Sequence, residues 1–318
     1  MANPIRGSGG AAIGETHAAN LLFVLPYLVM LIVLLLVPLG LGIWLSFQDY
    51  DMLGGWSGSV GLDNFRNLLD DPIFPGTVRN TVVFVLITTP AFVGLGLFLA
   101  LALNDSLRRS SVLRAVFFGS SVLSVTIVTL IWRLVYLPDR GLAADILALV
   151  GLHSFDPVTS ETWALPAIAV VTVWWIIGLP MTLFLAALQQ IPAELYEAAA
   201  LDHASRFTTL RSITLPSIRR TIAVVAVIEI VLQFQLFGQA LLITGGGPNN
   251  HSRPIVQFIY ESGFRDLQLG FAAAASQVLF ALMLVAALGQ FWAGRRKGAA
   301  GPSSGTRHSS CRLAGDRM

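Results

Sequence analysis

The sequence predicts an all-α integral membrane protein with six transmembrane helices, and two properties of the chain support that prediction. Hydrophobic residues make up 55% and charged residues 12% of the 318 positions, whereas a typical soluble domain carries about 25% charged residues. Too few charges are therefore present to cover a water-facing surface. Six apolar stretches are also long enough, at about 1.5 Å per residue, to cross about 30 Å of hydrocarbon. They occupy residues 21–47, 80–104, 112–137, 163–189, 218–244 and 269–293.

The first stretch, 21–47, contains no charged residue. Its apolar core exceeds the roughly 7–15 residues of a signal peptide and no A-x-A cleavage signal follows, so a membrane helix is expected instead of a cleaved leader. Each of the other five contains glycine, proline or small residues, such as Pro90, Gly94 and Gly96 in the second and the run 272–276 in the sixth. Small residues permit close helix contacts in lipid.

The basic residues predict the orientation of the spans. Most of the 20 lysine and arginine residues flank one side, in the N-terminal segment, around 108–114, in or next to the loop 190–217 and in the C-terminal tail. By the positive-inside rule these segments are cytoplasmic. The sequence therefore predicts a multi-pass protein of the cytoplasmic (inner) membrane with both termini in the cytoplasm.

This topology divides the chain into three parts. A cytoplasmic N-terminal segment covers 1–20, the six-helix membrane domain covers 21–294, and a cytoplasmic tail covers 295–318. The tail is rich in glycine and serine, a composition that predicts disorder. The external loops, at about 48–79, 138–162 and 245–268, are too short to form independent enzymatic domains.

Several classes of chemistry are absent from the sequence. No GxxxxGK[ST] motif occurs and the only lysine, Lys297, lies after the last span, so no phosphate-binding loop is expected. The five histidines are scattered without an i, i+4 pair, and the single cysteine, Cys311, cannot form an internal disulfide. A net charge of +2 argues against nucleic-acid binding. We therefore expect no enzyme, no metal site and no cofactor bound by this chain.

The loop 190–217 is the longest internal cytoplasmic segment and is rich in helix-forming residues. Pro192 suits a first helical position, residues 193–201 favour a helix, and Ser205 can cap a second helix. Two short helices joined by a bend are predicted. On the first, Leu195, Ala198, Ala199 and Asp202 follow a spacing of three and four, so one face can pack on a partner or lie on the membrane surface.

The same loop resembles the EAA loop of ABC importer permeases. The resemblance rests on Glu197-Ala198-Ala199, then three residues, then His203, then nine residues and Ile213-x-Leu215-Pro216. It implies that Glu197, Ala198, Ala199 and Asp202 contact a separate ATPase subunit, which would bind ATP and Mg. His203 stands where the family has glycine, so a bend with positive φ would cost about 1 kcal/mol there.

Further motifs resemble carbohydrate-type permeases and are spread over residues 20–295. They are Leu25-Pro26, Pro38, Trp44-Leu45-Ser46-Phe47, Gly61-Leu62-Asp63-Asn64-Phe65 and Asn80-Thr81. Residues Thr244, Gly245, Gly246, Gly247 and Pro248 are similar to an element of the maltose-type "F" subunit. The resemblance implies a heterodimer with a second homologous permease, two ATPase subunits, and an extracytoplasmic binding protein that docks on the external loops, including 244–248. It also implies a carbohydrate-type solute.

The fifth stretch carries the candidate residues of the solute pathway. Glu229 lies near its middle, where a carboxylate costs about 2.5–3.5 kcal/mol and should face protein or water. On one continuous helix, Gln233 and Gln239 lie to either side of Glu229, with Gln235 at the edge. Amides both donate to and accept from hydroxyl-rich solutes, and Phe237 can stack on a sugar ring. Hydrogen bonding between helices remains an alternative role for this stripe.

The expected function is the permease subunit of an ABC importer, translocating a sugar, oligosaccharide or polyol derivative by alternating access. Two alternatives remain open at this stage. An ion-coupled secondary transporter would use Glu229 as its proton or sodium site and would act alone. A membrane scaffold would dock a soluble partner through 192–216 and pass no solute.

Overall fold

The fold is described by a computed structural model, which covers residues 14–104, 108–138, 140–149 and 156–299. Most of these residues are helical. The predicted N-terminal segment and tail fall largely outside the described residues. The last helix continues to Ala299, five residues past the predicted boundary at 294.

The described part of the chain consists of successive helices and one β-hairpin. The first half of the chain contains α1 (Gly14–Leu31), a π-helical turn (Ile32–Leu36), α2 (Val37–Leu45), β1 (Gln48–Asp51), β2 (Gly55–Ser59), α3 (Asp63–Asp70), α4 (Phe74–Ala102), α5 (Arg108–Ser120), α6 (Val125–Val135) and α7 (Leu142–Leu149). The second half contains α8 (Ala164–Ile176), α9 (Gly178–Leu188), α10 (Ala193–Leu201), α11 (Arg206–Thr209), a π-helical turn (Leu210–Thr214), α12 (Leu215–Ser217), α13 (Arg219–Gln233), α14 (Gly238–Ile243), α15 (Ile255–Tyr260), a π-helical turn (Glu261–Arg265) and α16 (Leu269–Ala299).

Three of the described helices are long and apolar enough to span a membrane, namely Phe23–Leu45, Phe74–Ala102 and Leu269–Gln290. They correspond to the predicted first, second and sixth spans. Two bent pairs fall where the third and fourth spans are predicted, so the count rises to five if each pair is one span. The total of six stays a prediction.

The third predicted span is not one continuous helix, because α5 and α6 meet at 96°. The chain leaves the helix at 121–124, and Ser124 caps α6 by accepting a hydrogen bond from Ile127 N at 3.4 Å. Trp175 Nε1 donates to Leu123 O at 3.1 Å and Ser120 Oγ donates to Trp175 O at 3.0 Å. Helix α8 therefore supplies partners to the backbone of this turn.

The fourth and fifth predicted spans are also broken. Helices α8 and α9 are bent by 49°, and Pro180, the third residue of α9, lacks the N–H that would continue the helical hydrogen bonds. Helix α13 ends at Gln233 and α14 begins at Gly238. The expectation of one continuous helix over 218–244 is therefore wrong, and so is the single polar stripe that depended on it.

Helix α4 packs against α8, α9 and α13 in the middle of the fold. One buried apolar cluster joins α4, α9 and α13 through Ala100, Leu103, Met181, Phe184, Leu185, Leu188, Ile218 and Val225. A second joins α3, α4, α15 and α16 through Leu68, Phe74, Ile255, Phe258, Ala274 and Ala275. At Gly96 a side chain would meet Pro180 Cβ at 3.1 Å, so α4 and α9 approach closely there.

The first span has a different environment from the others. None of the apolar window in Phe23–Leu45 is buried inside the chain. Its second half, α2, packs on α16, where Gly42 lies next to the side chain of Gln277. The side chains described from Phe23 onward therefore face outward along most of this span.

Substitution of Gly178 tests the close contact between α5 and α9. A Cβ at this position would meet Phe117 O and would lie 2.7 Å from Phe118 Cα, both of them backbone atoms. We expect Gly178→Ala to lower the free energy of unfolding by about 1–3 kcal/mol, the usual cost of overpacking. Thermal unfolding of the purified protein in detergent measures this loss.

Gly94→Ala is the matched control, since Gly94 also lies in a membrane helix and a Cβ there would meet nothing within 4 Å. The control should be neutral or slightly stabilising, because glycine costs about 0.5–1 kcal/mol relative to alanine inside a helix. Equal unfolding temperatures for both variants would contradict the close approach of α5 and α9.

Candidate functional site

The loop 190–217 forms the predicted two short helices joined by a bend. Helix α10 covers Ala193–Leu201, and Pro192 precedes it as the N-cap. Helix α11 begins at Arg206, and Ser205 caps it by accepting a hydrogen bond from Thr208 N at 3.2 Å. Ser205 caps α11 as predicted, whereas Pro192 is the N-cap of α10 and not its first helical residue.

His203 forms the bend between these helices, with a φ of +52°. Ala204 N donates to Ala199 O at 2.9 Å and His203 N donates to Ala200 O at 3.1 Å. This pair of bonds is the Schellman arrangement, which satisfies the last carbonyls of a helix through one left-handed residue. A histidine therefore occupies a conformation that glycine adopts at lower cost.

The outward face of the loop differs from the predicted one. Ala199 is only 8% exposed, and Tyr196 on the same side hydrogen-bonds through its hydroxyl to Thr214 Oγ1 at 3.2 Å. Glu197, Ala198 and Asp202 are exposed. Of the remaining predicted residues, Ile213 and Leu215 are half-buried and Pro216 is exposed.

Two exposed apolar side chains on this loop were missed by the sequence analysis. Leu201 is 83% and Phe207 is 69% exposed, although neither lies in a predicted span. Leu201 lies one helical turn after Glu197, so the spacing of four residues was the signal that could have identified it. The two residues give the loop an apolar, outward-facing surface.

The loop 244–248 is held in a defined turn. Gly245 and Gly246 have φ values of +64° and +86°. The buried amide of Gln257 donates to Gly245 O at 3.0 Å, and a Cβ on Gly246 would lie 2.9 Å from the same nitrogen. Thr244 Oγ1 and Ser252 Oγ are 2.7 Å apart. Glycine is therefore required at 246 by both conformation and space.

Two residues of α4 attach this loop to the membrane domain. Asn80 Nδ2 donates to Asn250 O at 2.8 Å and to Arg253 O at 3.1 Å. Thr81 Oγ1 accepts from Ile255 N at 2.9 Å. The motif Asn80-Thr81 and the glycine loop, which are far apart in the sequence, thus form one structural unit that spacing alone did not reveal.

The carboxylate of Glu261 is linked to the loop 244–248 through Gln257. Glu261 accepts a hydrogen bond from Gln257 Nε2 at 3.0 Å and forms ion pairs with Arg253 Nη1 at 3.3 Å and Arg265 Nη1 at 3.7 Å. Glu261 is buried, so these partners offset the cost of removing its charge from water. The ion pair with Arg253 joins the residues just after the loop to the π-helical turn at the end of α15.

The candidate residues of the solute pathway separate into two groups. Gln233 Nε2 donates to Glu229 Oε2 at 3.0 Å, and both side chains are buried within the chain. The other oxygen, Glu229 Oε1, is buried and has no hydrogen-bond partner among the residues that the structure describes. Gln239 is also buried, but on α14 beyond the break.

Gln235 and Phe237 lie in the break itself, at 234–237. Gln235 is exposed and Phe237 is half-buried. The Phe237 ring packs against Tyr260 with ring centroids 5.2 Å apart. The structure therefore brings Glu229 and Gln233 together inside the bundle and presents Gln235 at its surface.

A cleft of about 420 Å³ lies between the β-hairpin, α3 and the start of α16. Its lining includes three carboxylates, Asp49, Asp51 and Asp71. Asp51 accepts hydrogen bonds from Gly54 N and Leu53 N, which hold its pKa below the ordinary value, and Asp71 caps α4 through Ile73 N and Phe74 N. Two of the three carboxylates thus have structural roles. Over the described ranges, no three His, Cys, Asp or Glu residues are grouped to hold a metal.

Comparison with known proteins gives one family match. Residues 75–298 match the family described as binding-protein-dependent transport system inner membrane component. The chain is 34% identical over 286 residues to the diacetylchitobiose uptake system permease protein NgcF of Streptomyces coelicolor, covering 85% of this chain and 80% of that one. It is 31% identical to the probable ABC transporter permease protein YurN of Bacillus subtilis, covering 87% and 96% of the two chains.

A similar fold occurs in a solved structure. It is a bacterial alginate ABC transporter in complex with an alginate pentasaccharide-bound periplasmic protein. The TM-score is 0.78 at 24% identity, and the match covers 91% of this chain and 98% of that chain.

Substitutions at His203 test whether the loop depends on its left-handed bend. We expect His203→Gly to raise the free energy of loop opening by about 1 kcal/mol, because glycine has no Cβ penalty at positive φ. His203→Val should lower it, since a β-branched residue is a strong outlier there. The measurement is the rate of tryptic cleavage after Arg206 and Arg211 in the purified protein.

A change of 1 kcal/mol in loop opening corresponds to roughly a fivefold change in cleavage rate. Cleavage after Arg140, in the external loop, serves as the internal control and should stay the same in both variants. If the glycine and valine variants are cleaved after Arg206 at equal rates, the left-handed bend is not what holds the loop.

Proposed function

Since the chain belongs to the family of binding-protein-dependent transport system inner membrane components, we propose that it is the permease subunit of an ABC importer for a carbohydrate or polyol derivative. The observation that carries the proposal is the family match over 75–298. The solute class is supported by the relative whose name specifies diacetylchitobiose uptake. The chain is a non-enzymatic membrane component, and ATP and Mg are assigned to partner ATPase subunits.

The assembly proposed has four further subunits around this chain. They are a second homologous permease, two ATPase subunits and an extracytoplasmic binding protein. The similar alginate transporter, whose complex includes a periplasmic protein, supports the binding-protein partner. The inner membrane, cytoplasmic termini and a cytoplasmic loop 190–217 follow from the distribution of basic residues.

The loop 190–217, called the coupling loop from here on, is proposed to contact an ATPase subunit through its outward face. That face contains Glu197, Leu201 and Phe207, and an exposed leucine and phenylalanine are suited to fill an apolar groove. Ala199 and Tyr196 instead hold the loop against its own chain. Ala198, Asp202 and His203 shape the end of α10 next to the contact. The segment that connects α11 to α13 contains Ile213, Leu215 and Pro216.

Both ends of this loop are fixed in the same apolar cluster. Ile191 packs against the cluster just before α10, and Ile218 is buried in it just before α13. The cluster also contains side chains of α4 and α9. A displacement of the loop would therefore move these helices together, which is the coupling that alternating access requires.

The solute pathway is proposed to pass the break at 234–237. Non-helical backbone at membrane depth is tolerated only where protein covers it or where it lines a water-filled cavity. Gln235 is exposed in this break and Phe237 is half-buried beside it. Gln235 is proposed to hydrogen-bond the solute and Phe237 to stack on it, while Glu229, Gln233 and Gln239 support them from inside the bundle.

The turn formed by Thr244, Gly245, Gly246, Gly247 and Pro248 is proposed to act at the external end of the pathway. It follows α14 directly and is attached to α4 through Asn80 and Thr81. A rigid turn at this place can present its backbone to the binding protein. It can also transmit a movement between α4 and α14.

Replacement of Leu201 tests the proposed function. We expect Leu201→Glu to reduce ATP-driven uptake by roughly tenfold or more. A charged side chain is not accommodated in an apolar contact, and the coupling free energy between two sites is typically about 1–3 kcal/mol. The measurement is uptake by vesicles containing the complete complex, together with ATP hydrolysis. Wild-type uptake that requires an ion gradient and not ATP would contradict the importer.

Leu195→Glu is the matched control on the same helix. Leu195 is also exposed, but it is two residues from Glu197 and therefore lies on a different side of α10. Uptake should be retained in this variant. Loss of uptake in Leu195→Glu with normal uptake in Leu201→Glu would place the ATPase contact on the face that the sequence predicted.

A second pair of variants tests the pathway. Gln235→Ala should raise the KM for uptake roughly two- to tenfold, the equivalent of losing one net hydrogen bond of about 0.5–1.5 kcal/mol. Glu229→Gln keeps the shape and should leave the KM unchanged, since the carboxylate is buried against Gln233. Kinetic measurements of solute uptake distinguish them. A higher KM in Glu229→Gln alone would show that the solute contacts the carboxylate instead.

A further inference from the structure

Several large apolar side chains are exposed outside the membrane spans, on the external segment 48–70. Leu53 at the hairpin turn is 85% exposed and Leu69 on α3 is 75% exposed. Trp56 and Leu62 are also exposed. Neither the coupling loop nor the solute pathway uses these residues, so their exposure has no explanation in the proposed transport cycle.

The contacts of this segment fix it at the external end of the spans. Asn64 Nδ2 donates to Ser46 O at 3.0 Å and to Gln48 O at 2.9 Å, and Ser46 is the C-cap of α2. The backbone of Asp51 pairs with Gln268, the residue before α16. Helix α3 and the hairpin therefore lie at the level where α2 ends and α16 begins.

Leu62, the N-cap of α3, and the exposed Leu69 lie on one side of this segment, because seven residues correspond to about 20° around a helix axis at 100° per residue. Asn64 and Leu68 are turned toward the protein and are buried. Arg66 lies next to the leucine face, is largely exposed, and forms an exposed ion pair with Asp63 at 3.1 Å. A helix with exposed leucines beside an arginine is typical of a membrane interface.

This surface is continuous with the lipid-facing surface of the first span. Leu41, Ile43 and Trp44, in the last turns of α2, are exposed in the same way. Phe47, just after α2, packs against Phe65 on α3 with ring centroids 5.6 Å apart. The Phe47–Phe65 contact therefore links the exposed apolar surface at the end of the span to α3, beside the buried polar residues Ser46 and Gln48.

We propose that α3 and the turn of the hairpin form an interfacial anchor seated in the outer leaflet of the membrane. Leu62 and Leu69 insert at the boundary between headgroups and acyl chains, and Arg66 reaches the lipid phosphates. Trp56 lies at the same boundary, and its Nε1, which donates to Gln48 Oε1 at 2.9 Å, keeps its polar group satisfied. The occupant of this surface is lipid. The proposal does not depend on which solute is transported.

The test measures where these side chains lie relative to lipid and water. Cys311 is the only cysteine, so the Cys311→Ser background allows single labels at Leu62→Cys and Leu69→Cys, with Asn67→Cys as the matched control on the exposed polar side of α3. Each variant is labelled with a nitroxide and reconstituted, as the full chain with its co-purifying partners, in vesicles of phosphatidylethanolamine and phosphatidylglycerol. Collision with oxygen, which concentrates in lipid, is compared with collision with nickel(II)-EDDA, which stays in water.

We expect the ratio of oxygen to nickel collision to exceed unity at positions 62 and 69 and to fall below unity at position 67. A ratio below unity at both leucine positions would overturn the proposal. So would exclusion of both reagents, which would indicate cover by a partner permease. A ratio that rises above unity only when a soluble binding protein is added would assign the surface to that protein. Power-saturation measurements at Leu53→Cys give an independent check, with the same sign expected as at Leu69.

Discussion

Every backbone N–H and C=O group within the hydrocarbon needs a hydrogen-bond partner from the protein, and this constraint decides where the membrane helices of this chain can break. The turn at 121–124 is closed by the neighbouring helix α8, since Trp175 Nε1 donates to Leu123 O and Ser120 Oγ donates to Trp175 O. Gly178, at the start of α9, allows the close approach that this exchange requires. The break at 121–124 is therefore a property of a helix pair and not of a single helix.

The turn at 244–253 also has its backbone groups bonded by side chains from elsewhere in the chain. The carbonyls of Asn250 and Arg253 receive the side-chain amide of Asn80, and Gly245 O receives the buried amide of Gln257. Amide side chains are suited to this role because each supplies both a donor and an acceptor. As a result, an irregular segment of glycine and asparagine is fixed to a membrane helix by directional bonds.

How far the sequence predicts this structure depends on whether a feature is local. The first, second and sixth spans and the two helices of the coupling loop follow from composition, Pro192 and Ser205, all of which act within a few residues. The break at 121–124 depends on Trp175, about fifty residues away, which no local pattern contains. The inward direction of Ala199 was missed for the same reason, because the Tyr196–Thr214 contact turns that side of α10 toward the chain.

The position of the breaks gives the proposed coupling a mechanical basis. The loop enters and leaves the membrane domain at Ile191 and Ile218, which pack in one cluster with α4 and α9, so the half of the bundle next to this loop behaves as a packed block. Farther along the chain, α13 ends before the break at 234–237, and the α14 that follows leads into the turn that Asn80 attaches to α4. A movement of the block would therefore be taken up at 234–237, because this is where the fifth segment has no continuous helical hydrogen bonds. The exposed Gln235 lies in this break. The proposed solute contact therefore lies between the packed block that holds the coupling loop and the segment that leads to the turn at 244–248.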